Sequence, residues 1–142
     1  MSSKIRVLHV DDDDDIRVIT KLAFSLDEGF ELEQCSSGAE ALERARATPP
    51  DLLLLDMVMP GMDGAQTWER MKSECGLSAT PTIFMSARAE QEFARKLLEK
   101  GATAVITKPF DPMTLCSQIR EGLEKAAKKE PAQAGNLLDF TA

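Results

Sequence analysis

Residues 49–64 read PPDLLLLDMVMPGMDG, and the four leucines within this stretch decide the fold. Leu52 to Leu55 are apolar at successive positions instead of alternating. That is the pattern of a strand covered on both faces, as a parallel sheet requires. A leucine run would also suit a helix, but Pro49, Pro50 and Asp51 precede it and Pro60 and Gly61 follow it, which leaves room only for a strand.

Four more apolar segments flank this one: Ile5 to Val10, Phe30 to Gln34, Thr82 to Ser86 and Thr103 to Thr107. Helical patterns separate them. Ile16, Ile19, Ala23 and Leu26 recur at helical spacing after an acidic run. Ser37 with Glu40 three residues on is a capping box that opens a helix through Ala41, Leu42 and Ala45, ended by Pro49. Gly64 to Glu74 and Glu90 to Lys100 read as two further helices, the second stopped by Gly101. Asp111 before Pro112 reads as an N-cap with proline at the first helical position, and Leu115, Ile119, Leu123 and Ala126 continue that helix. Alternation of this kind predicts an α/β fold with a doubly wound parallel sheet, because parallel neighbours need a right-handed helical crossover.

The chain has 142 residues, enough for one domain with a proper core. Its 17 Lys and Arg against 24 Asp and Glu give a net charge of −7, and the unbroken run Asp11 to Asp15 carries most of that excess. The cations are scattered with no basic stripe, so direct nucleic-acid binding is not expected. Leu52 to Leu55 is the longest wholly apolar run, far short of a membrane span, and no basic stretch leads into an apolar segment at the N-terminus. Cys35, Cys75 and Cys116 are too few and too widely spaced for a disulfide framework or a zinc site, which fits a reducing cytoplasm.

In a doubly wound sheet, chemistry sits beyond the carboxyl ends of the strands. Those ends hold Asp11 and Asp12, Asp56, Ser86 and Lys108. Three carboxylates on one rim repel one another and ask for a cation. An all-oxygen donor set without histidine or thiolate points to a hard ion, and Mg2+ is the usual choice beside phosphate.

Four motifs now resemble a known family, the receiver domains of two-component response regulators. They are VLHVDDD (7–13), DLLLLDMVMPGMDG (51–64), PTIFMSAR (81–88) and GATAVITKPF (101–110), in the family's order and close to its spacing. The resemblance implies a flavodoxin-like sheet of five parallel strands in order 2-1-3-4-5 with five surrounding helices. It implies a receiver domain over 4–128, with short tails at 1–3 and 129–142. Asp56 is then the phosphoacceptor. Asp12 and Asp56 would bind Mg2+ directly together with the backbone carbonyl of Val58, while Asp11 acts through water or by orienting its neighbours. Ser86 stands where the family has Thr or Ser, and Lys108 is its lysine, ahead of a cis peptide to Pro109. The implied partners are a histidine kinase or histidine phosphotransfer protein upstream and a protein target downstream. The expected activity is that of a stand-alone signalling phosphoacceptor rather than an enzyme.

Other acids read more plainly. Asp13, Asp14 and Asp15 suit the start of a helix, where they complement its dipole; Asp63 suits a cap, and Asp51 a loop end. His9, the single histidine, falls within an apolar strand and reads as packing, as do Met57, Met59, Met62 and Trp68. Val105 occupies the position, three before Lys108, where many receivers carry a switch aromatic. Arg88 and Val58 fill positions that tune phosphate lifetime in the family. Two rival functions remain open at this level. A Mg2+-dependent phosphohydrolase with an Asp nucleophile usually has a second Asp two residues on, where this chain has Val58. A phosphorylation-independent adaptor would have no reason to crowd these charges.

Overall fold

A computed structural model describes residues 4–128, so the tails expected at 1–3 and 129–142 lie outside the described residues. Five strands, β1 (Ile5–Val10), β2 (Phe30–Cys35), β3 (Leu52–Asp56), β4 (Thr82–Ala87) and β5 (Ala104–Lys108), alternate with α1 (Asp14–Ser25), α2 (Gly38–Ala47), α3 (Gly64–Glu74), α4 (Gln91–Glu99) and α5 (Leu115–Lys128). The strands form one sheet in the order β2-β1-β3-β4-β5. Every neighbouring pair is parallel.

The leucine run behaves as its pattern demands. Leu53 and Leu55 enter the core under α2, α3 and α4, with Ala41, Trp68, Met71 and Leu97. Leu52 and Leu54 enter the opposite core under α1 and α5, with Phe24, Leu115 and Ile119. Burying one leucine is worth roughly 1.5–3 kcal/mol relative to exposure, so these four side chains clamp β3 at the centre of the sheet.

Several local expectations shift. The buried face of α1 is Thr20, Ala23 and Phe24 rather than the stripe through Ile19 and Leu26, both of which are exposed. Phe24 meets Phe30 edge to face, with ring centroids 5.2 Å apart, in the core that this face of α1 covers. Ser37 does cap α2 by accepting from the Glu40 amide, but the Glu40 carboxylate reaches one residue further back, to the Ser36 amide. Asp111 closes a turn instead of opening α5: its carboxylate accepts from the Met113 amide and its carbonyl from the Thr114 amide, and the helix starts at Leu115. Thr103 precedes β5, its hydroxyl accepting from the Thr82 amide in place of a strand residue. Asp13 caps α1, and Asp63 caps α3 in a reciprocal box with Gln66.

Candidate functional site

Strand register brings the expected residues to one rim. Val10 pairs with Leu55, Asp56 with Met85, and Ala87 with Lys108, so the carboxyl ends of β1, β3, β4 and β5 lie side by side. The turn after β1 is held by the Asp11 amide donating to the Cys35 carbonyl and by the Arg17 guanidinium donating to the Asp11 carbonyl at 2.7 Å. The end of β3 is held by the Met57 amide on the Met85 carbonyl, and by the Gly64 amide on the Met57 carbonyl. Gly64 is needed there because a Cβ would stand 2.2 Å from the Asp56 carbonyl oxygen. The absence of a side chain thus lets the start of α3 lie directly against the backbone of Asp56.

Asp11, Asp12 and Asp56 each place a carboxylate oxygen within 4.8 Å of the others. Asp11 and Asp56 are buried, while Asp12 is exposed. Lys108 Nζ donates to Asp56 Oδ1 at 2.8 Å and reaches Asp11 Oδ2 at 3.5 Å. The second Asp11 oxygen accepts from the Asp13 amide at 2.9 Å. One ammonium is therefore shared by two of the three carboxylates.

Burial pushes the Asp56 carboxyl up to about 6, aided by the charges of Asp11 and Asp12 and opposed by Lys108. Asp11 is also raised, first by burial. Burial works against the Lys108 ammonium, but its bonds to Asp56 and Asp11 outweigh this and raise its pKa. A buried carboxylate that resists ionising is a site short of positive charge. The donor set fits a hard divalent ion: oxygen ligands throughout, one of them open to solvent, and excess negative charge to neutralise. Val58 lies in the turn after β3 with its side chain exposed.

Ser86 reaches the same rim, buried near the end of β4, but its hydroxyl accepts from Gln91 Nε2 at 3.2 Å instead of joining the acid cluster. Lys108 is joined to Pro109 by a cis peptide. His9 lies beneath the site with Nδ1 3.1 Å from Gln34 Nε2; burial, then Lys108 and Arg17, lower its pKa to about 3. Trp68 packs edge to face on Phe84, as its position on α3 suggests. Gln91, Arg17 and Glu90 were not marked by any motif. Their contacts cross from strand end to helix start, where no sequence period applies.

The response regulator receiver domain family matches residues 7–120. Over 125 residues the chain is 41% identical to the transcriptional regulatory protein CseB of Streptomyces coelicolor, covering 88% of this chain and 52% of that protein. It is 31% identical over 134 residues to the DNA-binding response regulator MtrA of Mycobacterium tuberculosis, covering 94% and 57%. The chain thus spans about half the length of these curated relatives. Among solved structures, the chemotaxis response regulator CheY4 of Vibrio cholerae superimposes with a TM-score of 0.76 at 28% identity, covering 84% of this chain and 99% of that one. The receiver domain of NtrX from Brucella abortus gives 0.74 at 29% identity, covering 83% and 98%.

Proposed function

The chain belongs to the response regulator receiver domain family, and from that premise we propose that Asp56 is a phosphoacceptor, served by Asp11, Asp12 and Lys108. The observation that carries this reading is the cluster of three carboxylates, two of them paired with one ammonium, Lys108 Nζ lying 2.8 Å from Asp56 and 3.5 Å from Asp11.

A carboxylate is a modest nucleophile, but toward a phosphoryl group on a good leaving group it needs mainly positioning and charge neutralisation. A carboxylate oxygen of Asp56 attacks phosphorus; the O–P bond forms as the P–N bond to a donor histidine breaks, and the electron pair leaves with the imidazole. Lys108 screens the charge on the transferring oxygens. Asp12 and Asp56, with the Val58 carbonyl, would hold Mg2+ directly, and the Asp13 amide orients Asp11 beside them. Bound Mg2+ supplies charge neutralisation at the phosphoryl oxygens. Ser86 offers a hydroxyl donor to the phosphorylated state.

The phosphodonor is a histidine kinase or histidine phosphotransfer protein. Val58, two residues beyond Asp56, and Val18 and Leu22 on α1 are exposed apolar side chains available to such a partner. Output through protein contacts rather than nucleic acid suits a chain of net charge −7 with its cations scattered. A cytoplasmic setting suits these partners; no helix among the described residues is long and apolar enough to cross a membrane.

The test is incubation with acetyl phosphate and Mg2+ followed by intact mass. A gain of one phosphoryl group, about 80 Da, is expected and should vanish in Asp56→Asn. Persistence of the gain in that variant would overturn the assignment. Turnover of small phosphate esters would favour a phosphohydrolase instead.

A further inference from the structure

Between Ser86 and the start of α4 the chain is closed by side chains. Glu90 Oε1 accepts from the Ala87 amide at 2.8 Å, spanning a 3₁₀ turn over Arg88–Glu90. Gln91, the first residue of α4, donates from Nε2 to Ser86 Oγ at 3.2 Å and approaches the Ala87 carbonyl at 3.4 Å. A hydroxyl has two acceptor lone pairs and one hydrogen to give. Gln91 occupies an acceptor position, so the hydrogen stays free to donate toward an anion on Asp56.

Resting on the phosphoacceptor reading above, we infer that Gln91 is the positioning residue that orients the Ser86 hydroxyl and carries its movement into α4. A phosphoryl group on Asp56 replaces the single carboxylate charge with about two and brings new acceptor oxygens, which draw the hydroxyl. Gln91 remains bound as donor on the other side of the oxygen, so its amide follows and the first turn of α4 moves with it. The neighbouring strand offers no equivalent route. Val105 pairs with Phe84, is fully packed in the core beside Ala94 and Leu97, and its β-branched side chain has little rotamer freedom. Phe93, exposed two residues beyond Gln91, is the large apolar side chain that this movement repositions.

The experiment measures hydrogen exchange across residues 87–100 with and without acetyl phosphate and Mg2+, with intact mass recorded on the same samples. Gln91→Leu keeps the side chain's bulk without its donor. It should gain phosphate as the parent does and lose the phosphate-dependent exchange change in α4. Gln91→Glu, whose carboxylate accepts from the Ser86 hydroxyl and withholds its hydrogen from Asp56, should lose it too; this variant decides the matter if Gln91→Leu melts early. Ser86→Ala combined with Gln91→Leu should lose no more than either alone, which a merely structural role for Gln91 would not produce. An unchanged response in both Gln91 variants, or additive losses in the double variant, overturns the inference while leaving the phosphoacceptor intact. No mass gain in the parent overturns both.

Discussion

At the scale of single residues, the site is governed by two groups that titrate in opposite senses. Asp56 is raised to about 6 in the folded protein, so folding takes up a proton between there and the ordinary carboxylate value. In the absence of metal the ionised form therefore weighs against the fold at pH 7, by up to about 3 kcal/mol, and the cost fades as pH falls toward 4. Asp56→Asn should accordingly raise the urea midpoint in EDTA at pH 7 and lose that advantage near pH 4; an equal midpoint at both pH values would contradict the burial of this charge. His9 works the other way. Its pKa of about 3 in the fold means that the unfolded chain binds the extra proton below pH 6.5, so its contribution is complete above 6.5 and is lost as pH falls toward 3. His9→Gln should flatten the acid limb of the stability curve over that window, measured by the same urea melts. The acidic run divides in the same residue-by-residue way. Asp12→Ala should abolish the Mg2+-dependent rise in melting temperature, whereas Asp14→Ala, which removes an exposed partner of Arg17, should preserve it.

Elements contribute by where their ends lie. Asp63 and Gly64 are neighbours at the start of α3, but they act differently. Asp63 caps the helix, and Asp63→Ala should cost about 1 kcal/mol of stability with phosphate uptake little changed. Gly64→Ala would place a methyl 2.2 Å from the Asp56 carbonyl oxygen, so the backbone that carries Asp56 must shift. Its initial rate of mass gain with acetyl phosphate should therefore drop by about tenfold or more, since small misplacement of a reacting group costs orders of magnitude in rate. Parent-like kinetics in Gly64→Ala would show that α3 does not position Asp56. β3 itself is the element on which both cores depend, and Leu54→Ala should destabilise by about 2–5 kcal/mol, read from urea melts.

The whole molecule is a sheet with two unlike faces. α1 and α5 are tied together by Cys116 Sγ on the Ala23 carbonyl and by Arg120 on Asp27, whose pairing at 2.8 Å also lowers the Asp27 pKa. On the other face α4 is short, and its junction with β4 is held by the Glu90 and Gln91 side chains. Motion linked to the site is expected on that second face. Phosphorylation should change hydrogen exchange across Ala87 to Lys100 more than across Thr103 to Thr107. Among the described residues both cores are complete with side chains between Ile5 and Leu123, and removing residues 129–142 should leave the melting temperature within about a degree or two. A larger drop would mean that the tail is part of the domain.

The sequence by itself determined the alternation of strands and helices and the residues at the strand ends, because burial on both faces writes a continuous apolar run and turns need particular residues. Leu52–Leu55 and Asp56 were legible for that reason, as were the caps at Ser37 and Asp63. The strand order was implied by the family resemblance rather than by periodicity, since alternation alone does not say which strands are neighbours. Only the tertiary structure decided what spans sequence distance: Lys108 on Asp56 and Asp11, the lack of room for a methyl at Gly64, and the rotation of α1 that buries Thr20 and exposes Ile19. It alone decided the ionisation of Asp56 and His9, which depends on exclusion of water by side chains from distant elements. The bond from Gln91 to Ser86 belongs there too, because it forms across a strand-to-helix junction whose geometry no local repeat encodes.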